Sequence, residues 1–221
     1  MTRWPPILAG GAVLSAAAAI LSAPWALGLP WMNLVFKPLA TVLIILLAWP
    51  RGRSTPDLRR WVLAGLLLSL GGDVALLWPR QGFLPGLVSF LLAHLCYLMA
   101  FTRVQRLAAR IGPFAAYAAI AAAVLAALWP GVPAGLRVPV LAYVLCLASI
   151  AAQTAVLWRC DPGNPAVRRL AVGGALFLAS DALLATNRFA LPLPMASLWI
   201  LVPYWTAQAC IAAWLQPPPA R

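Results

Sequence analysis

Four ionisable residues stand inside long apolar runs of this chain, where a charged group is costly to bury. They are Lys37, Asp73, His94 and Asp181. Two carboxyl groups in apolar surroundings can serve as general acid and general base, or can carry protons across a membrane. The residue types therefore predict either acid–base catalysis or proton-coupled transport at one shared site.

The elements that position these residues must fold in lipid. The chain has 221 residues, of which 64% are hydrophobic and 9% are charged, whereas soluble domains have about 25% charged residues. The net charge is +12, but the basic residues lie between the apolar runs, where they are typical of topology signals and not of a nucleic-acid site. We expect a multi-pass protein of the bacterial inner membrane whose surroundings are the lipid bilayer, with no nucleic-acid partner.

Eight apolar runs are long enough to cross a bilayer, which takes about 20 residues in a helix. Proline, glycine and arginine separate them, and the runs are too rich in Leu and Ala to alternate as strands. The composition predicts an all-α fold, a bundle of eight transmembrane helices forming a single domain over residues 1–221. The predicted spans are 6–24, 31–49, 61–78, 83–102, 111–129, 136–158, 168–187 and 195–215.

The arginines predict the orientation of the bundle. If the amino terminus is cytoplasmic, twelve arginines fall on inside segments and only Arg80, Arg137 and Arg188 fall on outside loops. Because cytoplasmic segments carry the excess of Lys and Arg, this bias predicts that both termini are cytoplasmic. The inside arginines are Arg3, Arg51, Arg53, Arg59, Arg60, Arg103, Arg106, Arg110, Arg159, Arg168, Arg169 and Arg221.

Residues 1–23 allow a second interpretation, as a secretory signal that is cleaved. Arg3 precedes an apolar stretch, and Leu21-Ser22-Ala23 resembles a cleavage site. The sequence alone leaves open whether this segment is retained.

Three of the ionisable residues are expected at one depth. Lys37, Asp73 and Asp181 each stand six or seven residues from the outer end of a predicted span, which is about 9–11 Å along a helix. His94 is expected at about 16 Å and Tyr204 at about 14 Å. This coincidence predicts a polar pocket that opens outward. The alternative is structural, with Lys37 neutralising one Asp, His94 as a core residue and glycines allowing close helix packing.

Metal chemistry is not expected. The four cysteines are scattered without a CxxC pair, and there is one His. Neither pattern is typical of a zinc site or a disulfide framework, so we predict no metal and no cofactor.

Several of these polar residues lie in segments that resemble the YhhN family of membrane proteins, the lysoplasmalogenase family. The resemblance covers about residues 31–210. It implies an eight-span integral membrane hydrolase that cleaves the vinyl ether bond of lysoplasmalogens to a fatty aldehyde and glycerophosphocholine or glycerophosphoethanolamine. The aspartates thought to be catalytic in the family correspond here to Asp73 and Asp181. The segments that carry the resemblance are Lys37-Pro38, Gly72-Asp73-Val74-Ala75-Leu76-Leu77, Ala93-His94-Leu95-Cys96-Tyr97, Phe177-Leu178-Ala179-Ser180-Asp181 with Asn187-Arg188-Phe189, and Pro203-Tyr204-Trp205-Thr206-Ala207-Gln208.

An aspartate pair suits this chemistry. Vinyl ether hydrolysis needs an acid that protonates carbon, a group that stabilises an oxocarbenium ion, and a base that activates water. Asp181 is the preferred acid, since its neighbours are apolar, and Asp73 is then expected to stabilise the cation and activate water. Lys37 and Arg188 are expected to bind the lysophospholipid phosphate. Residues expected to orient water or the glycerol hydroxyl are His94, Tyr97, Asn187, Tyr204 and Gln208.

Other functions fit the same residues. A proton-coupled transporter would also use intramembrane Asp and Lys side chains. An intramembrane aspartyl protease fits less well, and a purely structural membrane subunit would use the charges as ion pairs. The oligomeric state cannot be read from the sequence.

Overall fold

The computed structural model describes residues 5–216, and within this range the chain is helical with no strand. The all-α fold and the number of helices predicted from the sequence are confirmed. Arg3 and Arg221, which contributed to the predicted orientation, lie outside the described residues. The helices are α1 (Pro6–Leu21), α2 (Pro30–Ala48), α3 (Pro56–Ala75), α4 (Phe83–Thr102), α5 (Ile111–Leu128), α6 (Arg137–Cys160), α7 (Pro165–Phe189) and α8 (Ala196–Trp214).

Prolines determine where half of the helices begin. Pro6, Pro30, Pro56 and Pro165 are the first residues of α1, α2, α3 and α7. Proline suits this position because it has no N–H to leave unpaired and its φ is already helical. Of these four, Pro30 lies in a break between apolar runs that the sequence predicts, and the structure shows a helix start there.

Six helices are long and apolar enough to cross a membrane, namely α2 and α4 to α8. α1 has only 16 residues. α3 begins with a charged turn, in which Arg60 and Asp57 form an exposed ion pair of 3.2 Å. An integral multi-pass protein is therefore supported, whereas membrane crossing by α1 and α3 stays a prediction.

Two close helix pairs form the frame of the bundle, α3 with α4 and α7 with α8. On α3, Gly65 faces the ring of Tyr97 and Gly72 faces the ring of Phe90, so that a methyl group at either glycine would overlap the ring. Small residues let helices in membranes approach closely. Gly72, the residue before Asp73, therefore allows α3 and α4 to pack closely, as the structural alternative for the glycines predicted.

The two ends of the bundle differ. Segments 22–29, 76–82, 129–136 and 190–195 form the end predicted to face outward, which we call the outer end; here Trp25 on the first segment donates a hydrogen bond to Ser197 Oγ (2.8 Å). At the opposite, inner end, large apolar side chains fill the space between helices. Among them Phe101, Leu170 and Ile211 are fully buried. These side chains belong to the hydrophobic core of the bundle at this end.

The loop before α5 is fixed by a buried amide on α6. Gln153 Nε2 donates to the carbonyl of Gln105 (2.9 Å), and Gln153 Oε1 accepts from the backbone N–H of Ala108 (3.2 Å). At the other end of α5, Gly131 lies directly against the Phe189 carbonyl, with no room for a side chain. These contacts hold one end of α5 near α6 and the other end near the last residue of α7.

Candidate active site

A cavity of about 640 Å³ lies at the outer end, between α1, α2, α3, α4, α7 and α8. We call it the polar cavity, because both intramembrane aspartates and both predicted phosphate-binding cations line it. The shared pocket expected from the depths of Lys37, Asp73 and Asp181 is therefore present. Its polar lining residues are Ser22, Asn33, Lys37, Asp73, Ser180, Asp181, Asn187, Arg188, Ser197 and Tyr204.

Asp73 is held by donors from two other helices. Its Oδ2 accepts hydrogen bonds from the hydroxyls of Thr41 (2.6 Å) and Tyr204 (2.7 Å). Lys37 Nζ lies 3.8 Å from Asp73 Oδ1. The residue is 1% exposed, so these donors replace the water that an ionised carboxyl group would need. The surroundings of Asp73 suit a carboxylate.

The groups that hold Asp73 are oriented in turn by a second set of hydrogen bonds. Trp205 Nε1 donates to Thr41 Oγ1 (3.1 Å), and Gln208 Nε2 donates to the Tyr204 hydroxyl (3.3 Å). The Tyr97 hydroxyl donates to Gln208 Oε1 (2.8 Å). α8 presents Trp205 and Gln208 from adjacent turns, so this helix fixes the geometry around Asp73.

Asp181 has a simpler environment. Its Oδ2 accepts a short hydrogen bond from the Tyr143 hydroxyl (2.5 Å). Beside it on α7, Ser180 turns away and donates to the Ile200 carbonyl (2.9 Å). Among residues 5–216, one hydroxyl group donates to Asp181 and no cation pairs with it. Its surroundings therefore suit a neutral carboxyl group better than those of Asp73 do.

Two further residues at the end of α7 reach the rim of the polar cavity. The Arg188 guanidinium carbon lies 4.9 Å from the centre of the Phe83 ring, which is a cation–π contact. Asn187 Oδ1 accepts from the backbone N–H of Leu193 (2.8 Å). The amide of Asn187 thus fixes the chain that leaves α7, next to Arg188.

Three predicted site residues do not line the polar cavity. Tyr97 and Gln208 belong to the hydrogen-bond network behind Asp73. His94 is fully buried, and neither of its ring nitrogens has a hydrogen-bond partner among residues 5–216. Its ring centre lies 4.6 Å from that of Phe177 and 5.2 Å from that of Tyr143. Direct contact of these three residues with a substrate stays a prediction.

Two residues beside the carboxyl groups were missed in the sequence. Thr41 lies one helical turn after Lys37, and its spacing places both on one face of α2. Tyr143 lies six residues into α6, about 9 Å from the outer end by the same rise per residue that placed the aspartates. Depth counting applied to hydroxyl groups as well as charges would have found both.

No metal site is formed by the described part of the chain. Between residues 5 and 216, no three His, Cys, Asp or Glu side chains come together in a way that could hold a metal ion. We therefore assign no metal ligand.

Fold and cavity together define an integral, multi-pass α-helical membrane protein with two aspartates facing one polar cavity. Comparison with known families identifies the class more closely: the model of the YhhN family matches residues 32–215. The chain belongs to the YhhN family, which confirms the resemblance seen in its sequence.

Curated relatives carry names that bear on activity. The protein named lysoplasmalogenase from Mycobacterium bovis is 33% identical over 93% of this chain and 82% of its own length. Human lysoplasmalogenase TMEM86A is 31% identical over 82% of this chain and 77% of its own length. An Escherichia coli O6:H1 protein, named uncharacterized membrane protein YhhN, is 29% identical over 72% of this chain and 76% of its own length. No solved structure matches the chain.

Proposed function

We propose that this protein is a membrane-embedded lysoplasmalogenase, which hydrolyses the vinyl ether bond of alkenyl-glycerophosphocholine or alkenyl-glycerophosphoethanolamine. The observation that carries the proposal is that Asp73 and Asp181, from two distant helices, line one cavity together with Lys37 and Arg188. The relatives named lysoplasmalogenase support the same reaction class. The two carboxyl groups can act as acid and base on the vinyl ether bond, and the two cations can bind the phosphate of such a lipid.

In the first step, Asp181 delivers its proton to the β-carbon of the vinyl ether. The π electrons form the new C–H bond, and a lone pair of the ether oxygen stabilises the resulting oxocarbenium ion. The Asp181 carboxylate left behind keeps the hydrogen bond from Tyr143. General acid catalysis of this kind contributes about 10²–10⁴-fold to a rate.

In the second step, water adds to the cation and Asp73 accepts a proton from that water. The product is a hemiacetal. As its bond to the glycerol oxygen breaks, that oxygen takes the proton held by Asp73. The hydroxyl proton of the hemiacetal passes to the Asp181 carboxylate as the aldehyde C=O bond forms, which restores both carboxyl groups. The aldehyde oxygen therefore comes from water, and the glycerol oxygen stays with the head group. Asp73 suits the base because Thr41 and Tyr204 hold one of its oxygens and leave the other toward Lys37.

Tyr143 is a positioning residue in this scheme, and Tyr143→Phe is expected to lower kcat about tenfold or more with little change in KM. The reason is that the hydroxyl stabilises the carboxylate that forms at Asp181 as the proton leaves, and a hydrogen bond to a charged group is worth about 1.5–3 kcal/mol. Steady-state kinetics with a lysoplasmalogen would measure the split between kcat and KM. A larger KM with unchanged kcat would assign Tyr143 to substrate binding instead.

Lys37 and Arg188 bind the phosphate in this proposal, as a point charge and a planar fork respectively. Arg188→Gln is expected to raise KM roughly three- to tenfold with kcat nearly unchanged, a modest effect because the side chain is exposed to solvent. Arg80→Gln is the matched control, since Arg80 is exposed at the same end but does not line the polar cavity. An equal rise in KM for both variants, or for neither, would contradict this role.

Tyr97, Gln208 and Tyr204 orient the Asp73 carboxylate and the water beside it, and Asn187 keeps Arg188 at the rim. His94 is retained as a site residue, because its ring packs against Tyr143, which holds Asp181. In these assignments each catalytic aspartate works with one tyrosine, Asp73 with Tyr204 and Asp181 with Tyr143.

The topology proposed with this function is eight membrane spans with both termini cytoplasmic, in the inner membrane, and one domain over residues 1–221. The polar cavity then faces the outer leaflet. Labelling of single cysteines introduced into segments 79–82 and 190–195 tests the orientation. In intact inner-membrane vesicles, these cysteines should react with a reagent from the periplasmic side only.

A proton-coupled carrier would need a path from the cavity to the inner end. Phe101, Leu170 and Ile211 fill that end and are fully buried, which favours the hydrolase over the carrier. A proton flux assay in proteoliposomes separates the two functions, because substrate-driven flux is expected only from the carrier.

The direct test of the proposed function is to incubate the purified protein with a lysoplasmalogen and with its saturated alkyl ether analogue. Aldehyde release from the vinyl ether alone is the expected result. Equal products from both lipids, or none from either, would reject vinyl ether hydrolysis.

A further inference from the structure

A second cavity, of about 370 Å³, adjoins the polar cavity and has almost no polar lining. We call it the apolar cavity. α4, α5, α6 and α7 form most of its wall. The polar groups of that wall are two tyrosines and one carboxyl group, and the other described residues that line it have aliphatic or phenyl side chains. Representative wall residues are Leu87, Val124, Leu128, Val144, Leu178 and Ala185.

Asp181 stands where the two cavities meet. It lines both of them, and the other residues common to both walls are apolar, namely Leu76, Phe83, Phe90 and Leu184. A carboxyl group at the border between a charged compartment and a hydrocarbon-like compartment matches a substrate whose reactive bond joins a charged head to an apolar chain.

We propose that the apolar cavity holds the hydrocarbon chain adjacent to the scissile bond, and that α5 is the wall that sets which chain lengths are accepted. This inference rests on the proposed function and deepens it. With the phosphate at Lys37 and Arg188 and the chain against α5, the vinyl ether carbons of a single-chain lipid come to Asp181.

α5 presents one helical face to this cavity. Tyr117, Ala121, Val124 and Leu128 recur at intervals of three or four residues and all line it. Between Tyr117 and Leu128 this face is about 16 Å long, given the helical rise per residue. α5 packs mainly against α6, and the small side chains of its long alanine stretch leave room for a ligand.

The depth below Asp181 bounds the part of the chain that the cavity can hold. On α7 the lining continues from Asp181 inward to Ala175, about 9 Å along the helix. A chain longer than this space must continue between helices toward the surrounding lipid. Side chains on the middle of the α5 face therefore control how far the chain can enter.

Ala121 is the position that tests this idea. It is 6% exposed and lines the cavity, so a larger side chain there occupies chain space. Ala121→Phe is expected to shift the preference toward shorter chains, with the ratio of kcat/KM for a short to a long alkenyl chain rising about tenfold or more. Ala122→Phe is the matched control, since Ala122 is exposed and does not line the cavity.

The experiment compares a chain-length series from dodecyl to octadecyl in two formats. The first is hydrolysis of lysoplasmalogens by the wild type and the two Phe variants. The second is binding of saturated alkyl ether lysophospholipids, which cannot be hydrolysed as vinyl ethers, to the same proteins carrying Asp181→Asn. Ala121→Leu provides a smaller change in case the Phe variant does not fold.

The two formats separate failure of this inference from failure of the proposed function. A shift toward shorter chains in both Ala121 variants but not in Ala122→Phe supports binding of the hydrocarbon chain in the apolar cavity. If no vinyl ether is hydrolysed, the same shift in the binding measurements alone still supports it. Hydrolysis with the same chain preference in all variants would overturn the inference and leave the proposed function standing.

Discussion

Asp181→Asn is expected to abolish measurable aldehyde release, with a loss of about 10²–10⁴-fold relative to the wild type. The amide has the same shape and can still accept the hydrogen bond from Tyr143, but it has no acidic proton to give to carbon. The measurement is the initial rate of aldehyde formation from a lysoplasmalogen at saturating concentration, so that kcat and not binding is compared.

Two controls make this result specific to catalysis. The thermal stability of Asp181→Asn should equal or exceed that of the wild type, because the change removes an ionisable group from apolar surroundings. The variant should still bind the saturated ether analogue. Retained activity in a folded Asp181→Asn protein would contradict the assignment of Asp181 as the acid.

Asp73→Asn is expected to have two effects, a loss of kcat of about 10²–10⁴-fold and a loss of stability of about 3–5 kcal/mol. The first follows from removing the base that activates water. The second follows from leaving the buried Lys37 ammonium without its carboxylate partner, 3.8 Å away. Activity assays at saturating substrate and unfolding followed in detergent would measure both.

The double change of Lys37→Met with Asp73→Asn separates these effects. Replacing both partners of a buried ion pair is often nearly neutral for stability, so the double variant should regain most of the stability lost in Asp73→Asn. Its kcat should stay low. If the double variant regains kcat together with stability, the pair is structural and Asp73 is not the base.

The level of the charged residues could be predicted from the sequence because helical rise is uniform. Counting residues from each predicted helix end placed Lys37, Asp73 and Asp181 together, and the structure brings all three to the polar cavity. The same counting could not assign partners, since rotation about a helix axis is fixed only by packing. That Thr41 and Tyr204 donate to Asp73 while Tyr143 donates to Asp181 had to come from the structure.

The apolar cavity could not be predicted for a different reason. Its volume comes from the distance between α5 and its neighbours, and the small side chains of α5 are compatible with either close packing or open space. Contacts at the two ends of α5 decide between them, among them the hydrogen bonds of Gln153 to the loop before α5 and the approach of Gly131 to Phe189. No local pattern in α5 carries that information.

Helix starts were predicted best where the apolar run itself begins, as in α4 and α5, which start at the expected residues 83 and 111. α2 begins at Pro30, one residue from the expected start, whereas α3 begins at Pro56, ahead of the expected start at 61. The difference in α3 is its charged first turn, which hydropathy excludes from a span but which remains helical with an Asp57–Arg60 pair. The helix of α3 therefore starts before the apolar run that hydropathy identifies as a membrane span.

The most direct test of the whole account is the mass of the aldehyde released from a lysoplasmalogen in heavy water, reduced at once to the alcohol to prevent exchange. If a proton is delivered to the β-carbon, the product made by the wild type carries one deuterium on the carbon next to the former carbonyl. Asp73→Asn and Asp181→Asn are expected to give no product. Aldehyde without that deuterium, or labelled aldehyde still formed at the wild-type rate by both variants, would contradict catalysis by the aspartate pair.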